Sequence, residues 1–188
     1  RQYLPLLEMS AEENPQDDRV SFWLGREYMY YGLYDKCITE LTRYLALPSA
    51  LWREERSAAM RFLSTSYEAK GDVSAAKLWL FRAIAECIDV REPYLEAARF
   101  GYRQKDWPLV MLVVEKALGI KTSSGSYLVD PAAWGYELYD FGALACYYLG
   151  RYEKSLEYAT EACRLLPGDK RLEANLALIQ EKQKKGEG

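Results

Sequence analysis

The sequence contains no histidine among its 188 residues. A zinc site built from cysteine and histidine is therefore excluded, and acid–base chemistry would have to use carboxylates, lysine or tyrosine. The four cysteines, Cys37, Cys87, Cys146 and Cys163, show no C-x-x-C spacing. Each lies in an apolar helical pattern, so we expect four reduced cysteines that pack as small hydrophobic residues in a cytoplasmic protein. We predict neither a metal site nor a cofactor.

Long apolar runs and an excess of basic charge are also missing. Apolar runs such as Leu109 to Val114, which is six residues long, are far short of the ~20 that cross a bilayer. The net charge of −3 gives no electrostatic argument for binding nucleic acid. We predict no membrane span and no nucleic-acid partner. The chain opens at Arg1 rather than at methionine, so we expect a piece of a longer protein.

Motifs that carry chemistry are absent from the sequence. It has no Gly-x-Gly-x-x-Gly, no Walker-type loop and no Gly-x-Ser-x-Gly elbow. The paired carboxylates Glu12-Glu13, Asp17-Asp18 and Glu54-Glu55 fall at predicted helix starts, where negative charge complements the helix macrodipole. We therefore predict no catalytic residue in this chain.

Helical segments separated by short turns recur along the chain. The turns at Gly32, Gly71, Lys105 and Gly150 are 39, 34 and 45 residues apart. Before and after each turn, apolar residues recur at spacings of three and four, which is typical of amphipathic helices. Connections this short place consecutive helices side by side and antiparallel. The spacing predicts helices over residues 17–31, 34–46, 54–69, 73–88, 94–104, 106–120, 132–149, 152–166 and 169–185.

The predicted fold is all-α: a right-handed superhelical stack of about four antiparallel helix pairs with a C-terminal capping helix. We expect residues 17–188 to form this domain. Residues 1–16 carry a short leucine-rich helix that Asn14-Pro15 ends, because proline disfavours helix in the residue before it. We interpret residues 1–16 as a connector from an upstream domain.

The repeat resembles the tetratricopeptide repeat (TPR), whose length is ~34 residues. TPR units favour Leu-Gly and an aromatic residue in the first helix, glycine at the turn, a small residue in the second helix, and a closing proline. The first unit matches with Leu24-Gly25, Tyr28, Gly32, Cys37 and Pro48, and the fourth with Gly150, Tyr152, Ala162 and Pro167. The second and third units are degenerate.

The order of segments resembles one family in particular. It consists of the Leu-Pro-Leu-Leu connector, the segments Phe22–Tyr28 and Arg91–Ala98, and Lys105-Asp106-Trp107. This order is similar to the C-terminal TPR region behind the catalytic domain of bacterial family 2 glycosyltransferases. The resemblance implies a part of a two-domain enzyme that transfers sugar from a nucleotide-sugar donor. The family's metal-binding Asp-x-Asp and its nucleotide-binding α/β core have no counterpart here, so no catalytic residue is carried over.

A binding surface is the remaining candidate site. In TPR stacks the first helix of each pair lines a concave groove, and the residues opposite the buried stripe should face it. These are Phe22, Arg26, Tyr30, Arg61, Arg99, Tyr102, Arg103, Asp140 and Tyr147. Four arginines with several tyrosines would suit an anionic or extended ligand. The alternative is that the arginines are merely solvated and the tyrosines merely pack.

Two functions fit these observations. The first is a non-catalytic helical domain of a glycosyltransferase, used for dimerisation, acceptor docking or positioning, with its own catalytic domain or a second copy as partner. The alternative is a stand-alone TPR adaptor that binds a peptide or protein in its groove. The carboxylate clamp of chaperone-binding TPR domains is not present, because its positions hold Phe22, Arg26, Phe62, Glu92 and Glu96. An enzyme in its own right has no residue support.

Overall fold

The computed structural model describes residues 3–186, which fold into ten α-helices and one short 3-10 helix with no β-strand among them. Four antiparallel helix pairs are followed by a final helix, so the predicted all-α fold is confirmed. The chain divides into two compact units, and the boundary along the sequence lies between Ile88 and Asp89. None of the described helices is both long and apolar enough to cross a membrane.

Unit 1 contains the first five helices and two of the four pairs. Helix α2 pairs with α3, and α4 pairs with α5, while α4 also packs on the preceding pair. The helices are α1 (Tyr3–Glu13), α2 (Asp18–Tyr30), α3 (Tyr34–Ala46), α4 (Arg53–Ala69) and α5 (Val73–Glu86). The bounds of α2 to α4 differ from the prediction by one residue at most, and α5 ends two residues early.

Unit 2 contains the other two pairs and the final helix. Helix α6 pairs with α7 and α8 with α9, and α10 packs on α9. The helices are α6 (Glu92–Gln104), α7 (Trp107–Gly119), α8 (Glu137–Tyr148), α9 (Tyr152–Leu165) and α10 (Lys170–Gly186). The continuous helix predicted over residues 132–149 is wrong. A 3-10 helix over Pro131–Trp134 precedes α8, and the extended backbone of Gly135 separates the two.

The four predicted turns share one backbone conformation. Gly32, Gly71 and Gly150 have φ between 70° and 83°, and Lys105 has a φ of 56°. This left-handed region is open to glycine but costs about 1–2 kcal/mol for a residue with a Cβ. Lys105 therefore carries a local cost at the third turn that the other three turns avoid.

We expect Lys105→Gly to raise the free energy of unfolding by about 0.5–1 kcal/mol, because it relieves the left-handed backbone despite the greater freedom of glycine in the unfolded chain. Urea titration measures the change. Lys105→Ala is the matched control, since it also removes the ammonium group but retains a Cβ. If Lys105→Gly and Lys105→Ala raise the free energy of unfolding equally, the cost comes from the lysine side chain and not from the backbone conformation.

The loop between α7 and α8 is held by the side chain of Arg91, which lies almost fully buried at the start of α6. Its Nε and Nη2 donate to the carbonyl oxygen of Ile120 at 3.0 and 2.7 Å, and its Nη1 donates to that of Ala133 at 3.2 Å. The guanidinium also lies 4.0 Å from the ring centroid of Trp134. Burial lowers the pKa of Arg91 from its usual value. One side chain thus joins both ends of this loop to α6.

Helix α1, within the predicted connector, packs against α2. The Glu8 carboxylate accepts hydrogen bonds from Tyr28 Oη and Lys36 Nζ, both at 2.8 Å. The bonds from Lys36 and Tyr28 hold the pKa of Glu8 below its usual 4.5. Because the folded pKa is lowered, the carboxylate stabilises the folded state above the unfolded pKa, and the contribution is lost as pH falls through the folded pKa.

We expect Glu8→Gln to be less stable than the wild type at pH 7. The difference in unfolding free energy should shrink toward zero as the pH falls below 4.5, because the wild-type carboxylate becomes protonated and loses its charge-assisted bonds. Urea titrations of both proteins from about pH 3 to pH 7 measure this difference. A difference that does not change with pH would show that the charge of Glu8 plays no part in docking α1.

All four cysteines are free, as predicted. Cys37, Cys87 and Cys146 are buried, whereas Cys163 is partly exposed and is not the core residue that we expected. Burial raises the pKa of the Cys37 thiol to about 11, against the opposing hydrogen bond from Ser66. A thiol with so high a pKa is an inert packing group at neutral pH.

Candidate functional site

Unit 1 presents an aromatic surface with one arginine, formed by the first helices of its two pairs. We call Trp23, Arg26 and Tyr30 of α2 together with Phe62 of α4 the α2/α4 patch. The Arg26 guanidinium carbon lies 4.8 Å from the Trp23 ring centroid and 5.1 Å from that of Tyr30. The Tyr30 and Phe62 centroids are 6.2 Å apart. Tyr30 is 61% exposed, and the other three side chains are partly exposed.

Helical spacing places these side chains together. Residues three and four apart share a helix face, so Trp23, Arg26 and Tyr30 form a continuous row along α2. Within the described part of the chain, no carboxylate forms an ion pair with Arg26. The faces of the Trp23 and Tyr30 rings attract the guanidinium through their quadrupoles but carry no countercharge. The positive charge of Arg26 therefore remains available to a ligand.

Phe22 does not face this surface, which corrects the prediction. Its side chain has no exposed area, and its ring centroid lies 5.6 Å from that of Tyr44 and 6.1 Å from that of Phe62. One residue along a helix turns the side chain by ~100°, so Phe22 points into the core while Trp23 reaches the surface. Phe22 supports the Phe62 ring from below instead of touching a ligand. Arg61, on α4 beside Phe62, is partly buried.

The two predicted site arginines of α6, in unit 2, already form ion pairs with carboxylates of the same unit. Arg99 donates to Glu137 Oε2 at 2.9 Å and lies within 3.5 Å of carboxylate oxygens of Glu96 and Asp130. Burial alone would lower the pKa of Arg99, but the hydrogen bond and charge of Glu137, with the nearby Glu96 and Asp130, raise it. Arg103 lies 3.4 Å from Glu96. These two predicted site residues serve ion pairs within unit 2 rather than an open anion site.

Asp140, also predicted to face the groove, is 8% exposed and is covered by α10. Arg171 Nη1 lies 2.8 Å from Asp140 Oδ2, and Asn175 donates a further hydrogen bond. Burial raises the pKa of Asp140 although both partners act in the opposite direction. The prediction failed because the capping helix uses this carboxylate to dock against α8.

Unit 2 has an open cleft of about 230 Å³ between α8 and α10. Its lining side chains are mostly apolar or aromatic: Leu144, Tyr147, Tyr148, Asn175, Leu178 and Ile179. Leu178 is 60% exposed at its rim. Tyr147, a predicted site residue, thus lines the cleft, whereas Tyr102 packs against Phe141 at a centroid distance of 5.4 Å.

The sequence prediction missed several residues of these surfaces, among them Trp23, Phe62 and Leu178. Trp23 is not among the predicted site residues, and Phe62 is named only as a position at which the carboxylate clamp is absent. Leu178 was missed because α10 was regarded as a polar cap. The row of residues 23, 26 and 30 along one helix face was the signal that could have identified Trp23. Among the described residues there is no cluster of histidine, cysteine and carboxylate side chains suited to a metal ion.

Comparisons with known proteins bear on the fold. No protein-family model matches the sequence, and no curated protein matches it. Among solved structures, the C-terminal part of a TPR repeat-containing protein from Cytophaga hutchinsonii aligns with 98% of this chain and 67% of its own, at 15% identity and a TM-score of 0.74.

Two further solved structures of TPR proteins align with most of this chain. YrrB, described as a TPR protein with an unusual peptide-binding site, aligns with 95% of this chain and 84% of its own, at 12% identity and a TM-score of 0.72. A thermophilic TPR protein from Thermus thermophilus aligns with 94% of this chain and 88% of its own, at 20% identity and a TM-score of 0.60. At these identities the likeness shows the fold alone. The chain is a TPR-like helical repeat protein.

Proposed function

We propose that this chain is a protein-interaction module that binds a peptide or protein partner on the α2/α4 patch. The observation that carries the proposal is the patch itself. It combines two exposed or partly exposed rings of α2 with Phe62 of α4 and an arginine that no described carboxylate neutralises. Tryptophan, tyrosine and arginine are the residues most enriched at the energetic centres of protein interfaces.

Two other observations support an interaction role. The α8/α10 cleft offers a second, mostly apolar surface with Asn175 as a polar group, which suits the burial of a side chain from a partner. YrrB, with the same fold, is described as having a peptide-binding site. The predicted absence of catalytic residues is consistent with a role in binding alone.

Peptide selection tests the proposal. A phage library that displays random internal segments of about 12 residues is panned on the immobilised chain, and the selected peptides are measured by calorimetry. We expect Tyr30→Ala to weaken their binding by about tenfold or more, since an anchoring ring contributes ~2 kcal/mol. Phe81→Ala is the matched control, because Phe81 is also an exposed aromatic residue, 44% accessible, but lies on α5.

Failure to select any peptide would contradict the proposal. If Tyr30→Ala and Phe81→Ala weaken peptide binding equally, the binding surface lies elsewhere on unit 1.

We further propose that the chain is the C-terminal region of a family 2 glycosyltransferase. The support is the order of segments in the sequence, together with the docking of α1 on α2 through Glu8, Tyr28 and Lys36. A connector helix packed on the first repeat would hold an upstream domain close to the α2/α4 patch, so the partner would be the enzyme's own catalytic domain or an acceptor. The alternative, a stand-alone adaptor, would bind a separate protein.

The coding sequence upstream of Arg1 distinguishes the glycosyltransferase region from the stand-alone adaptor. Several hundred codons that encode alternating strands and helices with an Asp-x-Asp would support the glycosyltransferase. An initiation codon a few residues upstream of Arg1 would overturn it and leave the interaction module unaffected.

A further inference from the structure

We infer that the α2/α4 patch selects a peptide segment in which an aspartate or glutamate side chain lies within about two residues of an aromatic or leucine side chain. The carboxylate binds Arg26, and the apolar side chain packs on Tyr30 and Phe62. This inference rests on the proposed function and specifies its ligand.

The geometry of Arg26 is suited to a carboxylate. Its guanidinium lies over the rings of Trp23 and Tyr30, at 4.8 and 5.1 Å from their centroids. Contact with both rings restricts the motion of the side chain, and the guanidinium carries its N–H groups in a fork that matches a planar, bidentate acceptor. Because less rotamer entropy is lost on binding, the arginine is pre-organised for its ligand.

The charge balance distinguishes Arg26 from the arginines of unit 2. Arg99 and Arg103 already contact Glu96, and Arg99 also contacts Glu137 and Asp130. A ligand carboxylate at those positions would have to displace one that is present. At Arg26 no described carboxylate has to be displaced.

The arrangement of rings favours a side-chain carboxylate over the carboxylate of a chain terminus. Trp23 precedes Arg26 by three residues along α2 and Tyr30 follows it by four, so the two rings flank Arg26 on opposite sides along the helix axis. A segment that contacts both of these rings continues past Arg26 in both directions. A terminal carboxylate would end the chain at Arg26 and leave one side of the patch uncovered.

The distances set the spacing of the motif. The Arg26 guanidinium carbon, where the carboxylate binds, lies 5.1 Å from the centroid of Tyr30, on which the apolar side chain packs. An extended chain advances about 3.3–3.6 Å for each residue. The acidic side chain and the apolar side chain of the ligand therefore lie one or two residues apart.

The same peptide library tests the inference when it is panned in parallel on wild type, Arg26→Gln and Arg82→Gln. Arg82 is the matched control, since its guanidinium also lies over a tryptophan, 4.6 Å from the Trp79 centroid, but on α5. We expect peptides selected on wild type and Arg82→Gln to be enriched in an acidic residue next to an aromatic or leucine. Arg26→Gln should retain the apolar preference and lose the acidic one.

Calorimetry on one selected peptide, amidated at its C-terminus, and on its Glu→Gln counterpart gives the magnitude. Wild type should bind the glutamate peptide about tenfold more tightly, whereas Arg26→Gln should bind the two peptides equally. If the selected peptides bind through Tyr30 but show no acidic preference, the inference is wrong and the proposed function stands. If no peptide is selected from this library or from a library with free C-termini, both are wrong. Enrichment only in a library with free C-termini would show that the ligand is a chain terminus and overturn the inference.

Discussion

Replacing Arg91 with methionine is expected to lower the free energy of unfolding by about 2–4 kcal/mol. Methionine keeps most of the apolar volume but donates no hydrogen bond, so the carbonyl groups of Ile120 and Ala133 lose their donor. An unsatisfied buried polar group costs about 1–3 kcal/mol. Removal of the buried charge offsets part of this loss, because burial already disfavours the charged form of Arg91.

Arg91→Lys should recover less than half of the free energy of unfolding that is lost in Arg91→Met. A single ammonium group cannot reproduce the planar fork of a guanidinium, which here reaches the carbonyl groups of both Ile120 and Ala133. Arg151→Met makes the same chemical change at an exposed position of unit 2 and should alter stability by less than about 0.5 kcal/mol. Urea unfolding measures stability, and the rate of proteolysis within residues 121–130 reports on the loop. An Arg91→Met protein with wild-type stability would contradict this account of the loop.

The second large effect concerns the close packing of α2 on α3. A Cβ added at Gly25 would lie 2.3 Å from Leu41 Cδ2 and 2.5 Å from its Cγ. Leu41 is fully buried, so its side chain has little space into which it could turn away from an added methyl group. We expect Gly25→Ala to destabilise the protein by about 1–3 kcal/mol through overpacking, although alanine is the better helix former by about 1 kcal/mol.

A double-mutant cycle with Leu41→Ala isolates the clash. Leu41→Ala alone should cost about 2–5 kcal/mol through the cavity that it leaves. The double variant should be more stable than the sum of the two single effects by at least about 1 kcal/mol, since the added methyl group fills part of that cavity. Gly119→Ala in α7 is the control, because its Cβ meets no neighbouring group within 4 Å. If the changes in unfolding free energy of Gly25→Ala and Leu41→Ala simply add, the close packing of α3 on α2 does not require a glycine at position 25.

The sequence predicted the elements well where local chemistry determines them. Gly32 and Gly71 end helices because the turn needs a positive φ, and Asp72 and Asp106 begin the next helices by accepting a backbone N–H bond. The prediction failed at residues 132–136, where the extended backbone of Gly135 divides what the apolar pattern presents as a single helix. Ala133, before this break, accepts a hydrogen bond from Arg91, which is distant in the sequence, and no local pattern reports that contact.

The candidate site was less accessible to sequence reasoning. The predicted face of α2 is displaced by one residue, and this error exchanged the partly exposed Trp23 for the buried Phe22. The charge state of a surface depends on side chains that are distant in sequence. Arg99 is neutralised by Asp130 and Glu137, and Asp140 is covered by Arg171 of the last helix. Arg26 and Arg99 look equivalent in the sequence, and only the folded chain distinguishes them.

One measurement tests the central claim most directly. The indole N–H signals of the five tryptophans are followed in a ¹H–¹⁵N correlation spectrum as a selected peptide is titrated into the labelled chain. Binding on the α2/α4 patch predicts a saturable shift of the Trp23 signal while that of Trp79, on α5, stays in place. A shift of Trp79 with an unchanged Trp23 would contradict the account.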